Sequence, residues 1–370
     1  MKVLGVRIVK VIISVAVLGT TSILVFTVWH NHVHSSTSSW EREESWKSES
    51  GYGSQTYGSR GKITEFHSEV QKRSHKENSS ETTRLSQEDI NGVENFVFFV
   101  GYPRSGHSIV ASLMDAHQNI IVAHEYDLFH KLRYSPLKHR HRETLYNSLY
   151  MNSRNNALSG WRSGTKMRKG YTLKVGGGWQ GRFTKLKVIG DKSGGHTEQE
   201  YEASSSTFVS MYHQLQNTVG VPVRGIHVVR NPYDMISTQL LYRDKDKPGP
   251  KLSTATVEHK YNCTGHLALR INRTFEFIWN VHNMIRDCNL TVLEIHNVDF
   301  VHNPRDTMQR VCDFLDLKCS EDYLQLCSNK AYTSVSKTRL LVEWPNNLRK
   351  RVFQELQQYP YFQRYTFEGD

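Results

Sequence analysis

Five short runs of apolar, often β-branched residues recur in the chain, at Phe96–Val100, Ile120–Ala123, Lys185–Ile189, Gly225–Val229 and Thr291–Ile295. Between several of them apolar positions fall three and four apart, notably in Ser108–His117, Glu198–Asn217, Gly265–Cys288 and Pro304–Leu315. Strand-length apolar runs that alternate with helical periods predict an α/β fold, a parallel sheet flanked by helices on both faces. Ligands of such sheets bind beyond the carboxyl ends of the strands. The patterned region, residues 93–370, has the size of one domain.

The N-terminal part follows other rules. Val11 to Trp29 is nineteen residues without a charge, preceded by Lys2, Arg7 and Lys10, and no acidic residue occurs before Glu41. Such a run spans a bilayer, and its basic flank predicts a cytosolic tail, residues 1–10, and a single-pass type II signal-anchor, residues 11–29. A cleaved signal peptide is the alternative, but the run is long for one and no clear cleavage site follows. Residues 30–92 are rich in Ser, Glu, Lys, Gly and His and poor in aliphatic side chains, which predicts a disordered stem. His30, His32 and His34 stand in that stem without a rigid frame, so no metal is expected there or elsewhere.

Compartment markers agree with a luminal domain. Glycosylation sequons begin at Asn78, Asn262, Asn272 and Asn289, all beyond the anchor. The five cysteines, Cys263, Cys288, Cys312, Cys319 and Cys327, lie in the C-terminal third, where an oxidising lumen favours pairing. Cys312 and Cys319 are close enough along the chain to pair, and the odd count leaves one thiol unpaired or joining two chains, which admits a homodimer. A net charge of +11 suits an anionic glycan or an anionic membrane surface; no nucleic acid partner is expected.

Two segments carry candidate chemistry. The first apolar run ends in Gly101-Tyr102-Pro103-Arg104-Ser105-Gly106-His107-Ser108, a glycine-bounded turn that opens a helix. Backbone N–H groups and a positive dipole end then converge on one point, an anion site. The spacing is P-loop-like, yet His107 stands where the phosphate-gripping lysine belongs, which disfavours a nucleoside triphosphatase. The second segment is the strand ending at Arg230, followed by Asn231-Pro232-Tyr233-Asp234 and, two turns on, Ser237 and Thr238. Asn231 suits a helix cap with Pro232 at the first position, so an arginine, a helix N-terminus and a hydroxyl form a second anion site.

Together these segments resemble the sulfotransferases that use 3′-phosphoadenosine 5′-phosphosulfate (PAPS). The Pro103-Arg104-Ser105-Gly106 loop resembles their 5′-phosphosulfate loop, and an arginine before Asn-Pro with a hydroxyl eight residues later resembles their 3′-phosphate grip. The resemblance implies that Arg104, Ser105, Gly106, His107 and Ser108 bind one end of the nucleotide, and Arg230 with Thr238, or its neighbour Ser237, the other. Ser334-Val335-Ser336-Lys337-Thr338-Arg339 resembles the basic segment that closes over the nucleotide, which implies phosphate contacts from Lys337 and Arg339. The product would be 3′,5′-ADP.

For catalysis, Leu113-Met114-Asp115-Ala116-His117 resembles a helix end of the protein-tyrosine sulfotransferases, whose base glutamate then falls on Glu125. Glu125 is thus the expected general base, its pKa raised by burial toward a useful value, with His124 the runner-up. Lys192 resembles the strand-end lysine of luminal sulfotransferases, although Gly194-Gly195 replaces the proline that follows in the family. The likeness to the tyrosine enzymes stops after Glu125. The resemblance together with the signal-anchor leads to the expectation of a Golgi type II enzyme acting on a luminal hydroxyl; the acceptor type does not carry over from the resemblance, and a carbohydrate is the expectation. A tyrosine acceptor, or an inactive glycan-binding relative, is the alternative.

Overall fold

The computed structural model describes residues 84–135, 140–159, 173–243, 256–262 and 264–370. The expected tail, signal-anchor and most of the stem lie outside the described residues. Among the described residues no helix is long and apolar enough to cross a membrane.

All five apolar runs are strands: β1 Asn95–Gly101, β2 Ile120–His124, β3 Val188–Lys192, β4 Val223–Val229 and β5 Thr291–His296. They form one parallel sheet in the order β2-β3-β1-β4-β5. Every residue of β1 is buried, as a central strand covered on both faces requires. Its side chains divide with the period of two. Phe96, Phe98 and Val100 enter one core, and Val97 and Phe99 the other. The first core is covered by helices α3 (Leu128–Tyr134), α4 (Arg142–Ser159) and α6 (Ser205–Val219), the second by α2 (His107–Asp115), α10 (Pro304–Phe314) and α11 (Glu321–Lys330). A third apolar cluster joins α7 (Pro232–Arg243), α8 (Thr264–Asp287) and α12 (Asn346–Leu356).

Three boundaries differ from the sequence reading. The fold starts before residue 93: helix α1 (Gln87–Asn91) is closed by a Ser86–Asp89 capping box, and Leu85 and Ile90 are buried in the first core. The expected helix over Glu198–Asn217 is two, α5 (His196–Ala203) and α6, because Ser204 turns extended and its hydroxyl accepts the Thr207 N–H at 3.3 Å. A serine offered that local bond starts a new helix rather than continuing one. Strand β3 lies three residues later than the apolar run suggested, since pairing with β1 begins at Asn95 opposite Val188 and carries the polar Asp191 and Lys192 into the sheet. Among the described residues the remaining helices are the short α9 (Asn297–His302) and 3-10 turns at Thr338–Leu341 and Pro360–Phe362. Cys312 and Cys319 form a disulfide, while Cys288 and Cys327 are buried thiols.

Because β1 sits between β3 and β4, the loops leaving β1, β2, β3 and β4 open at the same carboxyl edge. The β1 loop, Glu125, Lys192 and Arg230 lie on that edge, and Ser336 packs against it.

Candidate active site

The loop after β1 is built around backbone conformations that ordinary residues avoid. Arg104 has φ 72° and Gly106 φ 101°, and a Cβ at Gly106 would come within 2.6 Å of the Asn297 amide nitrogen. Buried Ser105 donates its N–H to the Tyr102 carbonyl at 3.1 Å, and its hydroxyl lies 3.2 Å from His107 Nδ1. Helix α2 starts with no side-chain cap, and although the Ile109 N–H donates to the Gly106 carbonyl at 3.3 Å, the His107 and Ser108 N–H groups at the helix start suit an anion. Desolvation, reinforced by Lys192, pulls the His107 pKa down to about 3, so the imidazole is neutral.

At the ends of β2 and β3, His124 is in register with Lys192, and the Glu125 N–H donates to the Lys192 carbonyl at 2.8 Å. The fully buried Lys192 ammonium pairs with Glu125 Oε1, and the Gly194 N–H donates to Oε2 at 2.9 Å. A Cβ on Gly194 would lie 2.8 Å from His107 Nε2, so only glycine lets this turn approach the β1 loop. Burial does push the Glu125 carboxyl up, as the sequence reading expected, but Lys192 and the Gly194 N–H outweigh it and hold the pKa at about 2. The net shift is therefore opposite to the expected one. His124 is tied through its backbone, its N–H donating to Asn152 Oδ1 at 2.8 Å.

The third element is β4. The Arg230 guanidinium donates from Nη1 to the Arg104 carbonyl at 2.9 Å and from Nη2 to the Ser336 carbonyl at 2.8 Å, with Thr238 Oγ1 3.5 Å from Nη1. Its Nε is buried without a partner. As expected, Asn231 caps α7, its side-chain oxygen accepting the Tyr233 N–H at 3.1 Å. The structure thus brings Arg104, Arg230, Thr238 and Ser336 together. Ser237 lies elsewhere: its hydroxyl accepts the Trp344 indole N–H at 3.0 Å. Lys337 is half-exposed, 4.0 Å from the Asp370 carboxylate. Arg339 is buried, pairing with Asp234 and Asp370 and donating to the Phe367 carbonyl at 2.7 Å. That geometry turns it toward the C-terminal segment.

A family model described as "Sulfotransferase domain" matches residues 94–365. The chain belongs to the sulfotransferase domain family. Among solved structures, the sulfotransferase STF9 from Mycobacterium avium is 11% identical over 82% of both chains, with a TM-score of 0.41. The sulfotransferase domain of the Synechococcus PCC 7002 olefin synthase is 15% identical over 72% of this chain and 95% of that one, with a TM-score of 0.36. Mouse sulfotransferase SULT7A1, solved with PAP, is 13% identical over 72% of this chain and 81% of that one, with a TM-score of 0.32. A search of the curated proteins finds no match.

One residue of this sulfotransferase site gave no signal in the sequence. Glu198, on α5, is fully buried and accepts the N–H of Gly101, the last residue of β1, at 2.7 Å. A glutamate in a helix reads as solvated unless the fold is known. Burial pushes its carboxyl up to about 8, against the pull of the Gly101 N–H. Unfolded glutamate titrates near about 4.3, so between these values the folded chain keeps a proton that the unfolded chain releases. That contribution to stability is complete below the unfolded pKa and is lost as pH rises through 8. Asp191, raised by burial to about 6, acts in the same sense over a narrower range. Relative to Glu198→Gln, the wild-type melting temperature is therefore expected to fall as pH rises from 6 to 8.5. An equal slope in both proteins would remove Glu198 from this account.

Proposed function

We propose that the chain is a Golgi type II membrane enzyme that transfers the sulfuryl group of PAPS to a carbohydrate hydroxyl. The observation that carries this reading is the convergence, at the carboxyl ends of adjacent strands, of the uncapped α2 N-terminus, the Arg230–Thr238 pair and the buried ammonium of Lys192. The residues fit an anionic nucleotide. Among the described residues Arg230 keeps a buried, unpartnered Nε beside the β1 loop.

PAPS supplies an activated sulfuryl group when bound. The backbone and side chains of Arg104 through Ser108 would hold its 5′ end, and Arg230 with Thr238 its 3′-phosphate, with Lys337 at the rim. Sulfuryl transfer resembles phosphoryl transfer, in which positioning and charge stabilisation dominate. Lys192 is placed to stabilise charge on the departing oxygen, and Glu125 keeps that ammonium paired and oriented. A luminal location is supported by the disulfide and by the exposure of Asn262, Asn272 and Asn289, the three sequon asparagines among the described residues. The net charge of +11 supports an anionic glycan as acceptor.

Incubating the full chain with labelled PAPS and a panel of glycans, glycolipids and tyrosine peptides tests the proposal. Label is expected on a glycan. Label on tyrosine peptides alone would overturn the acceptor class. Glycan binding without transfer to any member would make the protein an inactive binding relative.

A further inference from the structure

We propose that His196, oriented by Asp127, takes the proton of the attacking hydroxyl, a role that rests on the sulfuryl-transfer reading above. His196 opens α5, four residues after Lys192, and its Nδ1 lies 2.5 Å from Asp127 Oδ1. Asp127 itself stands in the left-handed region at φ 59°, and its N–H donates to Ser193 Oγ at 3.1 Å. The Ser193 hydroxyl in turn donates to Asp191 at 2.7 Å, which anchors the pair to the end of β3. Side-chain atoms of Glu125, Asp127 and His196 lie within 4.8 Å of one another. The dyad therefore adjoins the Lys192–Glu125 pair.

An aspartate that accepts the Nδ1 proton fixes the tautomer and leaves the Nε2 lone pair to accept a proton. The His196 side chain is 51% exposed, open to an incoming acceptor. Glu125 is worse placed for the task, because both its oxygens are taken, one by Lys192 and one by the Gly194 N–H. In the transfer, the acceptor oxygen forms the new O–S bond and its proton moves to His196 Nε2. The old S–O bond to the 5′-phosphate breaks, and its electron pair stays on the phosphate oxygen of 3′,5′-ADP. No oxidant or further reactant is needed.

The surrounding charges support a basic imidazole. Asp127 is the largest influence raising the His196 pKa, and Glu125 adds to it against the cost of burial. The arginines brought by the helices packed on α5 are engaged away from His196, Arg133 of α3 on Glu200 and Arg273 of α8 on Glu202, and the His130 ring of α3 hydrogen-bonds Glu200.

The test uses the full chain at single turnover, with PAPS as donor and water as the attacking hydroxyl, reading sulfate release between pH 5 and 9. The wild-type rate is expected to fall on the acid side as the imidazole protonates. His196→Gln is expected to be about 10²-fold slower and to lose that acid limb. Asp127→Asn should shift the limb to lower pH, since it removes the charge that raises the imidazole, and Glu125→Gln should keep it. Added imidazole should restore part of the rate to His196→Ala, which a merely structural residue would not allow. A His196→Gln rate within about threefold of wild type with the limb intact overturns the assignment. So does a limb lost in Glu125→Gln and kept in His196→Gln. Binding of 3′,5′-ADP, measured by calorimetry, separates the two levels. Failure of the wild type to bind sinks the PAPS reading itself, whereas binding and turnover with an unchanged His196→Gln profile sink only the proton assignment.

Discussion

Lys192→Met is expected to lower turnover of PAPS by about 10²–10³-fold, with affinity for 3′,5′-ADP within about threefold of wild type. Lys192 ends β3 fully buried, its ammonium held by Glu125, so it acts where the effective dielectric is low and the donor needs no reorganisation. Methionine keeps the length and apolar stem of the side chain and removes only the charge and the donors. The grips on the nucleotide lie on other elements, the β1 loop and the end of β4, so binding should survive. The measurements are single-turnover rates with labelled PAPS and calorimetry with 3′,5′-ADP. Turnover that is unchanged, or a loss of affinity as large as the loss of rate, would show that Lys192 does not act on the transferring group.

The second large effect is expected in binding. Arg230→Ala should weaken retention on immobilised 3′,5′-ADP by about 2–5 kcal/mol, the cost of removing one partner of a desolvated charge pair. At about 1.4 kcal/mol per factor of ten this is some thirty- to several-thousand-fold in Kd. Arg230 also donates to the carbonyls of Arg104 and Ser336, so its loss loosens both segments proposed to enclose the nucleotide. Arg230→Lys should recover only part of the loss, since an ammonium cannot reproduce the planar fork. Thermal melts establish that the variants are folded. Undiminished retention by a folded Arg230→Ala protein would remove the end of β4 from the nucleotide site.

Much of this was legible from the chain because it is locally encoded. Each strand was marked by a run of four or five residues that are mostly apolar, and the β1 loop and the Asn231-Pro232 helix start are set by backbone preferences within a few positions. Where local signals competed, the reading slipped. Ser204 could continue a helix or cap a new one, and its hydroxyl bond to Thr207 decided for the cap. Thr238 matched the eight-residue spacing from Arg230 with Ser237 as the near alternative, and the neighbours they meet, Arg230 and Trp344, separate them. Arg339 was expected to contact phosphate together with Lys337, yet burial against Asp234 and Asp370 gives it a structural partner set.

By itself, then, the sequence determined which segments are strands, where the two anion-binding turns fall and that an α/β sheet carries them, since short-range backbone and periodicity rules suffice for each. The strand order was decided only by the tertiary structure, and with it the meeting of Lys192 with Glu125, 67 residues apart, and of Arg230 with Arg104, 126 apart. The same holds for the protonation of Glu125, Glu198 and His196. A pKa is the balance between losing water and gaining neighbours, and those neighbours come from remote parts of the chain that only the folded sheet assembles.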